Sequence, residues 1–265
     1  MSKESKRRIL GASIVPYSID TQWGNMYILL GKERKVMRWT GSEKWSDFGG
    51  GCKSQDSAPE YTAAREFDEE TCASVRYWEG EELPRKSYIA IAKSLLNGDY
   101  TFKITTLIND DLVYYCYVKQ IPFDAAAPKT HVNTFTSLLK MRMDLSKGID
   151  VTVPPELIEH PAVQGVESNM LNVNGDFLEK PTVRWWSLPQ LRKAVRERRG
   201  IITFKNMRAE QLRTSFRSRL EVVLNEFPDE RTNCVRKAET ITPHTYQKPV
   251  QIHTDDDKPN RSDGQ

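Results

Sequence analysis

Gly49-Gly50-Gly51-Cys52-Lys53-Ser54-Gln55-Asp56-Ser57-Ala58-Pro59-Glu60-Tyr61-Thr62-Ala63-Ala64-Arg65-Glu66-Phe67-Asp68-Glu69-Glu70-Thr71-Cys72 is the stretch that decides the fold. A glycine cluster ends a short aromatic run, Trp45 to Phe48, and a polar loop leads to Pro59, placed as a first-turn proline that opens a helix. Ser57 is the expected N-cap. Tyr61, Ala64 and Phe67 then recur at three-residue steps, the pattern of a helix face packed on a sheet. Glu66, Glu69 and Glu70 stand at i, i+3 and i+4, so their carboxylates are expected to converge, where they repel unless a cation lies among them. Oxygen ligands with room for water suit Mg2+ or Mn2+ better than zinc.

This stretch resembles the Nudix box: Gly, five residues, Glu, seven residues, then Arg-Glu-apolar-any-Glu-Glu-any-Gly-apolar. Gly51, Arg65, Glu66, Glu69 and Glu70 fall at the required spacings, with Phe67 at the apolar position. Ser57 replaces the first Glu of the pattern and Cys72 its closing Gly. In the family that first Glu braces the loop against the Arg, and Asp56 and Glu60 are the acids near enough in sequence to substitute. Cys72 puts the left-handed helix exit in doubt, since only Gly enters that conformation without steric cost. The run Trp45 to Gly50 followed by Arg65-Glu66-Phe67 also looks like Nudix proteins of large DNA viruses and protists.

The resemblance implies an α/β Nudix fold, a mixed central sheet sandwiched between helices, with a helical and loop insertion before the last strand. Ile9 to Val15 and Met26 to Leu30 read as a strand meander ahead of the box; Ser74 to Trp78, Tyr100 to Leu107 and Leu112 to Val118 read as later strands. Helices are expected over Leu83 to Leu96, Val132 to Leu145, Leu188 to about Arg198 and Arg208 to Asn225. The organisation is a frayed start over 1–8, a Nudix domain over 9–226 with its insertion at about 120–178, and a tail over 227–265 whose Asp, Lys, Pro, Thr and Asn content predicts disorder.

Near the end of the domain, Glu179-Lys180-Pro181-Thr182-Val183-Arg184-Trp185-Trp186-Ser187-Leu188 resembles the close of Nudix sheets, an acid followed by a Trp-containing strand and a turn into a helix that Ser187 can cap. Glu179 stands where several relatives carry a further metal ligand or the base that activates water; Glu167 is the alternative acid. By the same resemblance Glu66, Glu69 and Glu70 hold Mg2+ or Mn2+, Arg65 orients these carboxylates, Gly50 and Gly51 close the site, and Arg34 and Arg38 face the substrate.

Composition sets outer bounds. An apolar content of 38% supports a real core, no apolar run is long enough to span a membrane, and the charged start lacks a secretion signal. Four scattered cysteines indicate neither a zinc site nor a disulfide framework, and a reduced cytoplasmic setting is expected, that of a host cell if the chain is viral. Between Arg184 and Arg219 eleven Lys or Arg face two acids, a local +9 that leaves the rest of this +3 chain at −6. Arg196, Arg198, Arg199, Arg213 and Arg217 are the candidates for backbone contact with RNA along 184–219.

The function expected from all this is metal-dependent hydrolysis of a pyrophosphate linkage in a nucleoside diphosphate joined to another group. The enlarged middle and the basic helices favour capped or other 5′-modified RNA, as in mRNA decapping. A small-nucleotide pyrophosphatase acting on NTP, NAD, ADP-ribose, dinucleoside polyphosphate or inositol pyrophosphate is the alternative, and a lapsed nucleotide- or RNA-binding module is a third. Oligomeric state is not indicated by the sequence.

Overall fold

Strand β1, Arg8–Ile19, is the spine of the molecule because it meets three partners. In the computed structural model it runs parallel to β6, Leu112–Gln120, on one side; on the other, its first half pairs antiparallel with β4, Phe48–Gly51, and its end with β2, Met26–Lys32. Beyond β2 lie β3, Trp45–Ser46, and β7, Thr182–Ser187, both antiparallel to it. Beyond β6 lies β5, Phe102–Leu107. The structure describes residues 8–20, 24–75, 87–108, 111–121, 129–158, 160, 162–163, 175–197, 199–202, 210–227 and 244–246. The mixed sheet is thus the one the sequence predicts.

Alternation along the strands explains the layers. Ala12 and Ile14 of β1, Leu29 of β2, Tyr117 of β6 and Trp185 of β7 face one side. There they meet α1, Pro59–Glu70, α2, Ser87–Leu96, and α3, Lys129–Leu145. Val15 and Tyr17, Ile28 and Leu30, Cys116 and Val118, and Trp186 face the other side, under α4, Leu188–Arg196, and α5, Thr214–Glu226. A period of two on each strand therefore builds two cores from one sheet. Phe216, Leu220 and Leu224 of α5 are fully or almost fully buried, each stabilising the packing by roughly 1.5–3 kcal/mol.

Several local expectations change. Helix α5 begins at Thr214 rather than Arg208, because Glu210–Gln211 forms strand β9 against β8, Ile201–Ile202. Ser74 and Val75 are in no strand, and residues 76–78 lie outside the described residues. Ser187 is the N-cap of α4 as expected, with its backbone N–H donating to Gln190 Oε1 at 3.1 Å. In the segment expected as an insertion, α3 is followed by short 3-10 helices at Pro155–Leu157 and Gly175–Leu178. Of the tail expected to be disordered, His244–Tyr246 is described as strand β10, parallel to Phe102–Ile104; the rest of the tail beyond Phe227 lies outside the described residues.

Candidate active site

The three glycines of β4 cross helix α1, and each meets a different residue of it. The Gly49 N–H donates to Glu70 Oε2 at 2.8 Å. A Cβ on Gly50 would lie 2.5 Å from Glu66 Oε1, so the Glu66 carboxylate occupies the space a side chain would take. The Gly51 carbonyl accepts from Arg65 Nη2 at 3.1 Å. Of the three, Gly50 is the one whose missing side chain leaves room for a carboxylate of the helix, whereas a Cβ on Gly49 would meet Ser13 and Ala12 of β1 and one on Gly51 would meet only the Leu10 carbonyl oxygen at 3.8 Å.

Arg65 is the hub. Its Nη1 donates to Glu66 Oε1 at 2.9 Å and to Glu69 Oε2 at 3.0 Å, which brings those two carboxylates together. Its other edge meets Asp56, Nη2 to Oδ2 at 2.9 Å and Nε to Oδ1 at 3.2 Å, a two-point pairing of guanidinium and carboxylate. Asp56 therefore takes the bracing position left by Ser57, while Glu60 is engaged elsewhere, accepting from the Tyr117 hydroxyl at 2.7 Å. The Lys53 N–H and the Thr62 hydroxyl also donate to Asp56. Burial alone would raise the pKa of Asp56, but the Arg65 pairing and these donors outweigh it and hold the carboxyl below its ordinary value. Burial likewise works against the charge of Arg65, yet Asp56, Glu66 and Glu69 together raise its pKa.

Glu69 is the perturbed acid. Burial pushes its pKa up to about 7; Arg65 and Lys53 oppose that shift, and Glu66 and Asp176 add to it. Such a carboxyl can hold or release a proton near neutrality.

Two expectations about this helix are corrected. Ala58, not Ser57, is the N-cap residue, in extended conformation and without a side-chain cap. The helix exit is left-handed despite Cys72: Cys72 has φ 54° and Ala73 φ 58°, and the Ala73 N–H closes on the Asp68 carbonyl at 2.8 Å. Cys72 is held there by burial and by its thiol, which donates to the Phe177 carbonyl at 3.2 Å. That burial also pushes the thiol pKa up to about 12, so Cys72 is a packing residue rather than a nucleophile.

The expected convergence of Glu66, Glu69 and Glu70 is corrected as well. Glu70, 2% exposed, turns inward: besides Gly49 it faces the Lys180 ammonium, 3.5 Å from its Oε1. Lys180 has no exposed side-chain surface and donates to Glu33 Oε1 at 2.8 Å and Ser46 Oγ at 2.7 Å. Helical spacing placed the three acids on one face, but two buried cations divide them, Arg65 holding Glu66 and Glu69 while Lys180 faces Glu70. Among the described residues no group of three acid, His or Cys side chains is arranged as a cation cage. The donor chemistry still fits a divalent ion at Glu66 and Glu69: these are hard oxygens, partly buried, and a lysine ammonium already stands at the outer oxygen of Glu69 as a stand-in cation, Lys53 Nζ to Oε1 at 3.8 Å.

The acid that the structure joins to the box from the insertion is Asp176, whose Oδ2 lies 3.1 Å from Lys53 Nζ. For Glu179, three residues on, the carbonyl accepts from the Arg34 N–H at 3.0 Å. Asp176 was missed because its signal is tertiary: the 3-10 turn at Gly175–Leu178 rests on Cys72 through Phe177, whose ring also stacks with the Arg142 guanidinium at 4.1 Å. Glu167 lies outside the described residues. Arg34 and Arg38 sit on the loop between β2 and β3, closed at its base by the Glu33 N–H and the Lys44 carbonyl; Arg38 is exposed, with φ 63°.

The basic segment is divided between fold and surface. Arg217 donates twice to the Val195 carbonyl, at 3.0 and 2.7 Å, closing the end of α4. Arg192 does the same for α5 through the Leu224 and Phe227 carbonyls. Arg213 stacks on Trp39 and lies 3.4 Å from Glu33 Oε1, and Arg219 is buried against Asp47. Arg196 and Arg199 are exposed, and Arg198 lies outside the described residues. Among the described residues no helix is long and apolar enough to cross a membrane.

No protein-family model and no curated protein sequence matches the chain. Solved structures similar to it include a Nudix hydrolase from M. smegmatis, RenU, at 12% identity over 86% of this chain and 93% of that one, with a TM-score of 0.37. Others are the NUDIX domain of Shewanella oneidensis NrtR complexed with ADP ribose, at 14% identity over 72% and 80% with a TM-score of 0.33, and an Ap4A hydrolase from C. elegans, at 12% over 82% and 99% with a TM-score of 0.33. At these values the family reading rests on the residues of the box and their geometry.

Proposed function

We propose that the chain is a Nudix-type hydrolase that cleaves a diphosphate linkage in a nucleoside diphosphate joined to another group, with Mg2+ or Mn2+. The observation that carries this reading is the Gly49-Gly50-Gly51 track laid on the Arg65-Glu66-Glu69-Glu70 helix, with Gly50 making room for the Glu66 carboxylate. Glu66 and Glu69 are the chain's metal ligands in this reading. A divalent ion bound there supplies charge neutralisation on the phosphoryl oxygens and a more acidic water. The residues of the chain do the positioning. Arg65 spends its five donors on Asp56, Glu66, Glu69 and the Gly51 carbonyl, so it orients the acids and does not touch substrate. Glu70 fixes the pitch of the helix on β4 through Gly49.

A 5′-modified RNA end such as a cap is the substrate favoured by the insertion, which reaches the box through Asp176, and by the exposed Arg196 and Arg199. The engagement of Arg192, Arg213 and Arg217 inside the fold favours a second reading, a small nucleotide. A product-resolved screen with Mg2+ or Mn2+ over capped RNA, NAD, ADP-ribose, dinucleoside polyphosphates and NTPs separates them. Turnover that Glu66→Gln with Glu69→Gln abolishes in a folded protein supports the assignment. Ligand binding without turnover at any metal concentration would make the chain a binding module instead.

A further inference from the structure

Lys53 sits in the loop between β4 and α1, its backbone tied to Asp56 by an N–H to Oδ2 hydrogen bond of 2.9 Å. From there its side chain crosses to two acids of different elements, Glu69 on α1 at 3.8 Å and Asp176 on the insertion's 3-10 turn at 3.1 Å. Both carboxylates are 15% exposed, and Lys53 is 39% exposed, so the ammonium plugs the outer side of a partly desolvated pair. The acids do not face each other by accident of a loose loop. Cys72 binds the Phe177 carbonyl next to Asp176, and Arg142 covers the Phe177 ring. Among the described contacts, Arg65 meets Asp56, Glu66 and Glu69, while Lys53 meets Glu69 and Asp176. Arg65 is enclosed and bound on both edges, so it cannot leave; Lys53 can.

We infer that Lys53 is the resident counter-cation of this site, holding Glu69 and Asp176 together in the absence of a divalent ion and competing with that ion for them. An ammonium is a poor substitute for the metal. A divalent ion held by Glu69 and Asp176 would supply two positive charges where the lysine supplies one, and would displace the ammonium from between them. The insertion is thereby tied to the metal state of the box. This inference rests on the metal-dependent reading above.

The test is Mn2+ titration of the full chain, followed by the electron paramagnetic resonance signal of free Mn2+, at low and moderate salt. Lys53→Gln is expected to bind Mn2+ at least about fivefold more tightly at low ionic strength, with the gap narrowing as salt screens the lost charge. Lys53→Arg should stay near wild type, and Asp176→Asn should weaken binding. Lys53 is a loop residue with much of its side chain in solvent, so its replacement leaves the fold standing. Mn2+ binding by wild type that Lys53→Gln leaves unchanged or weakens overturns the inference while the metal-dependent reading stands. Absence of Mn2+ binding in wild type and Lys53→Gln alike overturns both.

Discussion

Replacing Gly50 with Ala separates the site from the fold. The added Cβ would stand 2.5 Å from Glu66 Oε1, 2.6 Å from Cδ and 2.7 Å from Oε2, all at the far end of a flexible side chain. Reaching ordinary contact distance requires the carboxylate to withdraw by about 1 Å, a misplacement that can cost about 100-fold in turnover when it occurs at the reacting centre. Gly50 has no positive φ, and the strand continues, so the stability change should stay within about 1 kcal/mol. Gly49 is the control. Its Cβ would meet Ser13 Cβ at 2.2 Å, with the Ala12 carbonyl oxygen and Ser13 Cα at 2.6 Å, and backbone cannot step aside. Gly49→Ala should cost on the order of 3 kcal/mol, the upper end of ordinary overpacking, and lower Tm by ~6–12 °C. The assay pairs kcat/KM, on whichever diphosphate substrate the Mg2+ screen yields, with thermal unfolding. A Gly50→Ala protein with wild-type turnover, or one whose Tm falls as far as that of Gly49→Ala, refutes the claim that Gly50 exists to seat Glu66.

Lys180→Met removes the ammonium that faces both Glu33 and Glu70 and leaves Glu33 with Arg213 at 3.4 Å, so it should destabilise by roughly 3–5 kcal/mol in urea unfolding, and adding Glu33→Gln should recover part of the loss. Asp56 has a folded pKa below its ordinary 3.8, so its contribution is present above that value and disappears as pH falls through the folded pKa. Asp56→Asn should therefore lower the urea midpoint at neutral pH and flatten its decline in acid; a parallel acid limb would show that Asp56 is not what fails there. Arg217→Ala removes both donors from the Val195 carbonyl and should cost about 1–2 kcal/mol, whereas Arg196→Ala should stay within about 0.5 kcal/mol, a contrast that thermal unfolding reads directly.

The parts of this architecture that are legible in the sequence are those with a local signal. The short apolar runs of β1, β2 and β6, which the sheet buries on both faces, and the three-residue spacing of α1 are such signals, and the elements appear where they run. What escapes is the choice of partner. The basic run from Arg184 to Arg219 reads as a surface for an anion, yet Arg192 and Arg217 turn their guanidinium groups onto helix-end carbonyls, and Arg219 goes into the core against Asp47. Composition counts charges without saying what each one faces. Cys72 misleads in the opposite sense. It lacks the steric freedom of glycine, but a buried side chain bound to the Phe177 carbonyl can hold a left-handed residue in place, at a strain of ~1–3 kcal/mol met by the surrounding packing.

The division of the three glutamates has the same origin and a larger consequence. Positions i, i+3 and i+4 share a helix face, but β4 runs along it and meets Glu66 and Glu70 differently. Glu70, at the end that meets Gly49, faces Lys180, while Glu66, against Gly50, and Glu69 share Arg65. An acid turned away in this way must be replaced if a divalent ion is to be balanced at the other two. In the metal-dependent reading proposed above, Asp176 is the candidate for that replacement, delivered by a turn that is anchored to the same helix one residue beyond its C-cap. The insertion is then part of the site's electrostatics rather than an appendage to the sheet, and its effect on metal affinity should be felt even with substrates too small to touch the rest of it.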